Sequence, residues 1–263
     1  MESFRKFLIE DAKYDLEIRK EAKQVFDEMI KYLTNNKIYF EKHLNKSKEK
    51  FTNTPEDKKD KETIGFRLKV SDFMDGYDDL KINIIGADER ERGSFFTWKR
   101  WFKFFHHIYL NVLEFDDTLE TFIQRLKQNF DSTFLHEFVH YKDSKRFKLE
   151  DPRHISYPTR PKRENFKSDF LFKLAKEAYN DAYYSNDMEM NAFFQKIIFE
   201  FERQYESLED MEKREVQNNF KYLLKLIVPL LKRYMIQHHL NEKDKNRIIK
   251  RLYKYWDELH AAR

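Results

Sequence analysis

Ile64-Gly65-Phe66-Arg67-Leu68-Lys69-Val70 decides what kind of fold this chain has. Apolar Ile64, Phe66, Leu68 and Val70 alternate with Gly65, Arg67 and Lys69. That is the period of two of a strand with one face on a core. Leu80, Ile82 and Ile84 repeat the pattern against Lys81, Asn83 and Ile85, and Asp75-Gly76 between the two runs suits a hairpin connection. A third strand is expected over Ile108 to Phe115. The aromatic stretch ahead of it (Phe95, Phe96, Trp98, Trp101, Phe102, Phe104, Phe105) fits a strand, a short helix or a flap.

Outward from this window the sequence turns helical. All four glycines (Gly65, Gly76, Gly86, Gly93) lie inside it, and helices avoid glycine. Towards the N-terminus, Phe7, Leu8, Ala12, Leu16, Ala22, Phe26, Met29, Ile30 and Leu33 recur at three- and four-residue steps, which predicts helix from Phe4 to about Leu44. Asn45 to Glu62 is almost wholly polar, contains Pro55, and reads as a linker or exposed loop. After Asp117, helices are expected over 118–129, 132–146, 168–184, 188–208, 213–239 and 242–261. A stretch with Pro152, Pro158 and Pro161 interrupts them, and Pro229 should kink or divide the helix around it. The expectation is an α+β fold, mostly helical, with a small mixed or antiparallel sheet ahead of the 132–146 helix. Four parts follow: an N-terminal helical segment (1–46), a charged linker (47–62), a core (63–208) and a C-terminal helical region packed on it (209–263).

Composition narrows the chemistry. There is no cysteine, so disulfides and thiolate metal sites are excluded and any metal must be held by His, Asp or Glu. Lys and Arg number 51 against 47 Asp and Glu, a net charge of +4, which is no nucleic-acid signature by itself. Basic and aromatic residues do interleave at Trp98-Lys99-Arg100-Trp101-Phe102-Lys103, and Arg160-Pro161-Lys162-Arg163 is basic. These stretches read first as solvated faces over an aromatic core, and nucleic acid is disfavoured as the main partner. Met1 to Ile9 mixes charge and apolar residues too closely for a signal peptide, and no apolar run approaches the ~20 residues of a membrane span. A cytoplasmic protein with no membrane segment is expected.

The segment Phe134-Leu135-His136-Glu137-Phe138-Val139-His140 carries the chemistry. Four residues make about one helical turn, so His136 and His140 project from one face. Two imidazoles so placed can reach one zinc ion at about 2 Å each. Glu137 is rotated by roughly 100° from His136, which sets its carboxylate beside a metal-bound water rather than on the metal. The apolar flanks fit a buried helix, and Asp131 or Ser132 could cap its start. A helix with two ordinary core histidines is the plainer alternative.

A hydrolytic zinc site takes three protein ligands and one open position. A third histidine six residues after the second is absent, because that position is Arg146. Glu189, in Asn186-Asp187-Met188-Glu189-Met190-Asn191-Ala192-Phe193, is the best candidate, with Glu177 and Glu200 as alternatives. Asn186 and Glu189 also match a helix cap followed by a carboxylate three residues on. Asp143, one turn beyond His140, could orient the imidazole or be a surface charge. Tyr183, Tyr184, His154 and Tyr157 are candidate donors to a developing oxyanion. The adjacent pairs His106-His107 and His238-His239 have diverging side chains and do not resemble metal sites.

HExxH followed downstream by Glu189-x-Asn191-Ala192-Phe193 resembles the gluzincin-type zincin metallopeptidases. It is particularly similar to the compact ImmA/IrrE-like peptidases and to HExxH proteins carried by phages and mobile elements. The resemblance spans about His136 to Phe193. It implies a zincin-like core, Zn2+ held by His136, His140 and Glu189, and Glu137 as general base. It implies a protein or peptide substrate, and an edge strand ahead of the active helix that aligns it, a role the Ile108 to Phe115 strand would fit. For a phage-encoded member, association with the virion is open. A zincin-fold module that binds a partner without catalysis is the rival reading. Zinc without proteolysis would mark it.

Overall fold

The computed structural model describes residues 12–55, 63–86, 93–100, 103–129, 131–146, 161–165, 168–169, 171–176, 187–233 and 242–261. The chain divides into two units: residues 18–152, and residues 153–263 together with 1–17.

In the first unit, the expected N-terminal helix is two. Helix α1 (Ala12–Asn35) gives way to α2 (Lys37–Thr52) at Asn36, whose side chain donates to the carbonyl of Tyr32 at 2.9 Å. Ala22, Phe26, Met29, Ile30 and Leu33 are buried as the sequence spacing predicts, and Ile18 and Val25 join them. Helix α2 runs to Thr52, so the expected linker begins later than Asn45. The reason is compositional: Lys46, Lys48, Glu49 and Lys50 are polar yet favour helix, and nothing breaks the turn before Pro55. Residues 56–62 lie outside the described residues.

Four strands follow: β1 (Ile64–Lys69), β2 (Leu80–Gly86), β3 (Gly93–Arg100) and β4 (Lys103–Asn111). They form one mixed sheet in the order β1-β2-β4-β3. β1 and β2 are antiparallel, with Leu68 opposite Ile82, and Gly76 in their connection has a φ of 86°, which glycine adopts without strain. β2 and β4 are parallel, and β3 and β4 antiparallel. The aromatic stretch is therefore strand on both sides of residues 101–102, which lie outside the described residues. The third expected strand starts earlier and ends at Asn111, because β-branched and aromatic residues continue back through Phe104 and Phe105. It is also not an edge: β4 pairs on both sides, and β3 and β1 are the outer strands.

Helices α3 (Leu119–Asn129) and α4 (Asp131–Arg146) close this unit, and α4 packs on β3 and β4. The sheet face turned to the helices carries Leu68, Leu80, Ile82, Ile84, Ile108 and Leu110, each at most 1% exposed. Phe66 meets Phe40 of α2 and Phe122 of α3, with ring centroids 5.2 Å and 6.2 Å apart. The result is an α+β arrangement in which a small mixed sheet precedes and supports the HExxH helix.

The second unit is helical among its described residues. Helix α5 (Asp187–Glu206) is followed by α6 (Asp210–Asn218), α7 (Phe220–Arg233) and α8 (Glu242–Ala261). The expected 213–239 helix is divided at Asn219, not at Pro229, which sits inside a continuous α7. Asn219 has extended backbone, and its Oδ1 accepts the Lys221 N–H at 3.0 Å, so it caps the new helix. Glu209 and Glu212 form a reciprocal capping box at the start of α6. Phe194, Ile197, Ile198, Phe201, Val216, Leu223, Ile227, Leu230 and Leu252 make the core of this unit. Asp15, in the turns of α1 that belong here, accepts the Arg251 Nε–H at 2.8 Å and also pairs with its Nη2. The same Nη2 donates to Asn191 Oδ1 at 2.6 Å, and the guanidinium lies 4.0 Å from the centre of the Phe194 ring.

No described helix is long and apolar enough to cross a membrane.

Candidate metal centre

Helix α4 holds His136, Glu137 and His140 because it is tied down on several sides. Phe134, Leu135, Phe138, Val139 and Tyr141 are all buried. Phe134 packs against Phe26 of α1, with ring centroids 5.7 Å apart, and Phe138 against Tyr77 at 6.2 Å. The Tyr141 hydroxyl donates to Asp79 Oδ1 at 3.0 Å, and Lys142 Nζ lies 2.7 Å from Glu21 Oε1. Glu21 also accepts the Tyr77 hydroxyl. These contacts fix the helix in rotation as well as in depth.

His136 Nε2 and His140 Nε2 lie 3.3 Å apart, with the two rings at 90°. Two nitrogens bound to one tetrahedral ion at about 2.0–2.1 Å stand about 3.3 Å from each other. The donor pair therefore fits a zinc ion in both chemistry and spacing. His140 is 4% exposed and stacks on Phe95 of β3 at 6.3 Å. Glu137 is 5% exposed, so its carboxylate is not a solvated surface charge. Glu189 is 3% exposed in the first turn of α5. His136, His140 and Glu189 are a group whose side chains could hold a metal ion.

Asp143 is fully buried, which overturns its reading as a surface charge. The Lys142-Asp143-Ser144-Lys145-Arg146 run looks solvated in sequence, but one face of the helix takes Asp143 and Ser144 inside. Glu200 is half-buried and further along α5, and it does not join the three ligand candidates. Tyr183, Tyr184, His154, Tyr157, Glu177, Asn186 and the pair His238-His239 lie outside the described residues.

His106 and His107 diverge as expected, to opposite faces of β4. His106 stacks on Phe95 at 5.8 Å and lies 3.6 Å from Asp79 Oδ2. His107 Nδ1 is 3.2 Å from Asn83 Nδ2. Burial pushes His106 down to about 4 against the pull of Asp79. Burial lowers His107 to about 4 as well, and the charges of Arg67 and Lys81 act in the same direction. The unfolded chain takes up these protons near the ordinary value of 6.5. Stability is thus complete above about 6.5 and is lost as pH falls from there towards 4. The expected outcome is a urea midpoint that drops steadily from pH 7 to pH 5. His107→Gln should flatten that dependence, and an equal slope in the variant would refute the assignment.

The chain matches no model of a known protein family, no curated protein and no solved structure.

Proposed function

We propose that this protein is a zinc-dependent metallopeptidase. The observation that carries this reading is the pair of imidazole nitrogens 3.3 Å apart on a buried HExxH helix. His136, His140 and Glu189 would hold the ion, leaving a fourth position for water. A zinc ion held by these residues would supply Lewis-acid chemistry, lowering the pKa of a bound water toward about 7 and polarising a carbonyl.

The chain's own residues do the rest. Glu137, one residue on from His136 and buried beside the pair, takes the proton from the water and passes it to the leaving amine. The outer strand nearest the HExxH helix is β3, so β3 takes over from β4 the role of aligning an extended peptide by main-chain hydrogen bonds.

The test is elemental analysis after dialysis. Wild-type protein should retain close to one zinc per chain. His136→Ala and Glu189→Ala should each lower zinc affinity by 10-fold or more, without loss of helical content. Equal zinc retention in His136→Ala would overturn the ligand set.

A further inference from the structure

We infer that the sheet face turned away from the HExxH helix binds single-stranded nucleic acid. The inference does not depend on the metal reading. It starts from a charge asymmetry in the strands. β1 to β4 contain six Lys or Arg residues and no Asp or Glu. The whole chain has almost as many acids as bases, so the absence of acids here is not a reflection of composition.

Register then sorts the residues by face. Arg67 pairs with Asn83 and Asn83 with Tyr109, while Lys69 pairs with Lys81 and Lys81 with His107. Paired residues share a face, so these form two rows on one side of the sheet. Phe95 and His106 lie on the other side, where they stack with each other and pack against α4 through His140 and Tyr141. The helix packing of this unit described above reaches the sheet from that other side.

On the basic side, Arg67 and Lys69 are exposed, and Lys81, Phe105 and Tyr109 are half-buried. Lys81 Nζ sits 5.9 Å from the centre of the Phe105 ring, and the His107 and Tyr109 rings are 6.0 Å apart. The Arg67 Nε–H donates to Asn83 Oδ1 at 2.7 Å, which anchors the exposed guanidinium to the sheet face. The residues give positive charge at the rim and aromatic rings in the middle. Phosphates need the first and unstacked bases the second. An acidic peptide would use the charges but leave the rings without a role. His107, buried beneath these cations, is held neutral near neutral pH and adds no proton-dependent charge to the face.

The experiment is fluorescence anisotropy with a labelled 15-nucleotide oligo(dT), using the full chain. Binding should weaken about 20-fold between 50 and 200 mM salt, the slope for roughly three phosphate contacts on a single strand. The variant R67E/K69E/K81E should lose at least 10-fold in affinity with its urea midpoint and zinc content unchanged. Y109A should lose at least about fivefold, the low end for one stacked base. Three results would overturn the inference: no salt-dependent binding by the wild-type chain, equal binding by the triple variant, or competition by polyglutamate as effective as by unlabelled oligo(dT). The last would make the face a site for acidic protein.

Discussion

Glu137→Gln should lower the rate of peptide hydrolysis by about 10²–10⁴-fold while zinc content and the urea midpoint stay at wild-type values. The range is what a positioned proton-transfer group contributes. The exchange keeps volume and hydrogen-bonding shape, and it removes the only property that the mechanism needs, a basic oxygen. Glu137 is 5% exposed on a helix held by contacts from Phe134, Phe138, Tyr141 and Lys142, so a neutral amide there does not add a buried charge. It also stands about 100° around the helix from His136, which leaves the ligands untouched. The measurement is a progress curve on a quenched peptide library, run beside elemental analysis of the same preparation. Undiminished turnover in Glu137→Gln would remove the residue from its role and, with zinc still bound, would direct the search to another base. Zinc in both proteins and cleavage by neither would favour a binding module on the same fold.

Arg251→Met should cost about 3–5 kcal/mol of stability, the range for leaving one partner of a buried ion pair without the other. Asp15 and Arg251 have side chains only 6% and 7% exposed, and the guanidinium also donates to Asn191 and covers the Phe194 ring. Asp15 would then lose its two bonds to the Arg251 guanidinium in an interior that solvates a carboxylate poorly. The double change Asp15→Asn with Arg251→Met should recover most of the loss, since a pair of neutral groups removes the buried charge altogether. Arg251→Lys should not rescue, because an ammonium lacks the planar fork that meets Asp15 at both oxygens. Urea titrations of the four proteins give the cycle. A loss below 1 kcal/mol in Arg251→Met would show that the pair is solvated and structurally idle.

The parts of the fold legible in the sequence are those where one periodicity acts alone. Ile64 to Val70 and Leu80 to Ile85 alternate cleanly, and the strands they contain pair antiparallel, as a hairpin connection implies. Among the described residues, the helices over 119–129, 131–146, 187–206 and 242–261 were readable from spacing and from the lack of glycine. What failed was the placement of boundaries where chain-neighbour signals are weak. Lys46 to Lys50 continue a helix whose polar composition imitates a loop, and Asn219 ends a helix with one side chain where Pro229 looks the stronger breaker. The parallel pairing of β2 with β4 was invisible, because sheet order is set by contacts distant in sequence. At the candidate site, His136, Glu137 and His140 could be found by local spacing. The burial of Asp143 could not, since which face of a short charged run turns inward depends on what packs there.

Asp15 and Arg251 stand 236 positions apart, and that separation has a consequence for synthesis on the ribosome. Residues 18–152 can emerge and collapse as soon as they are made, but the other unit needs the first residues and the last ones together. The turns of α1 that carry Asp15 therefore wait, as a tether without its anchor, while the residues between them and Arg251 are made.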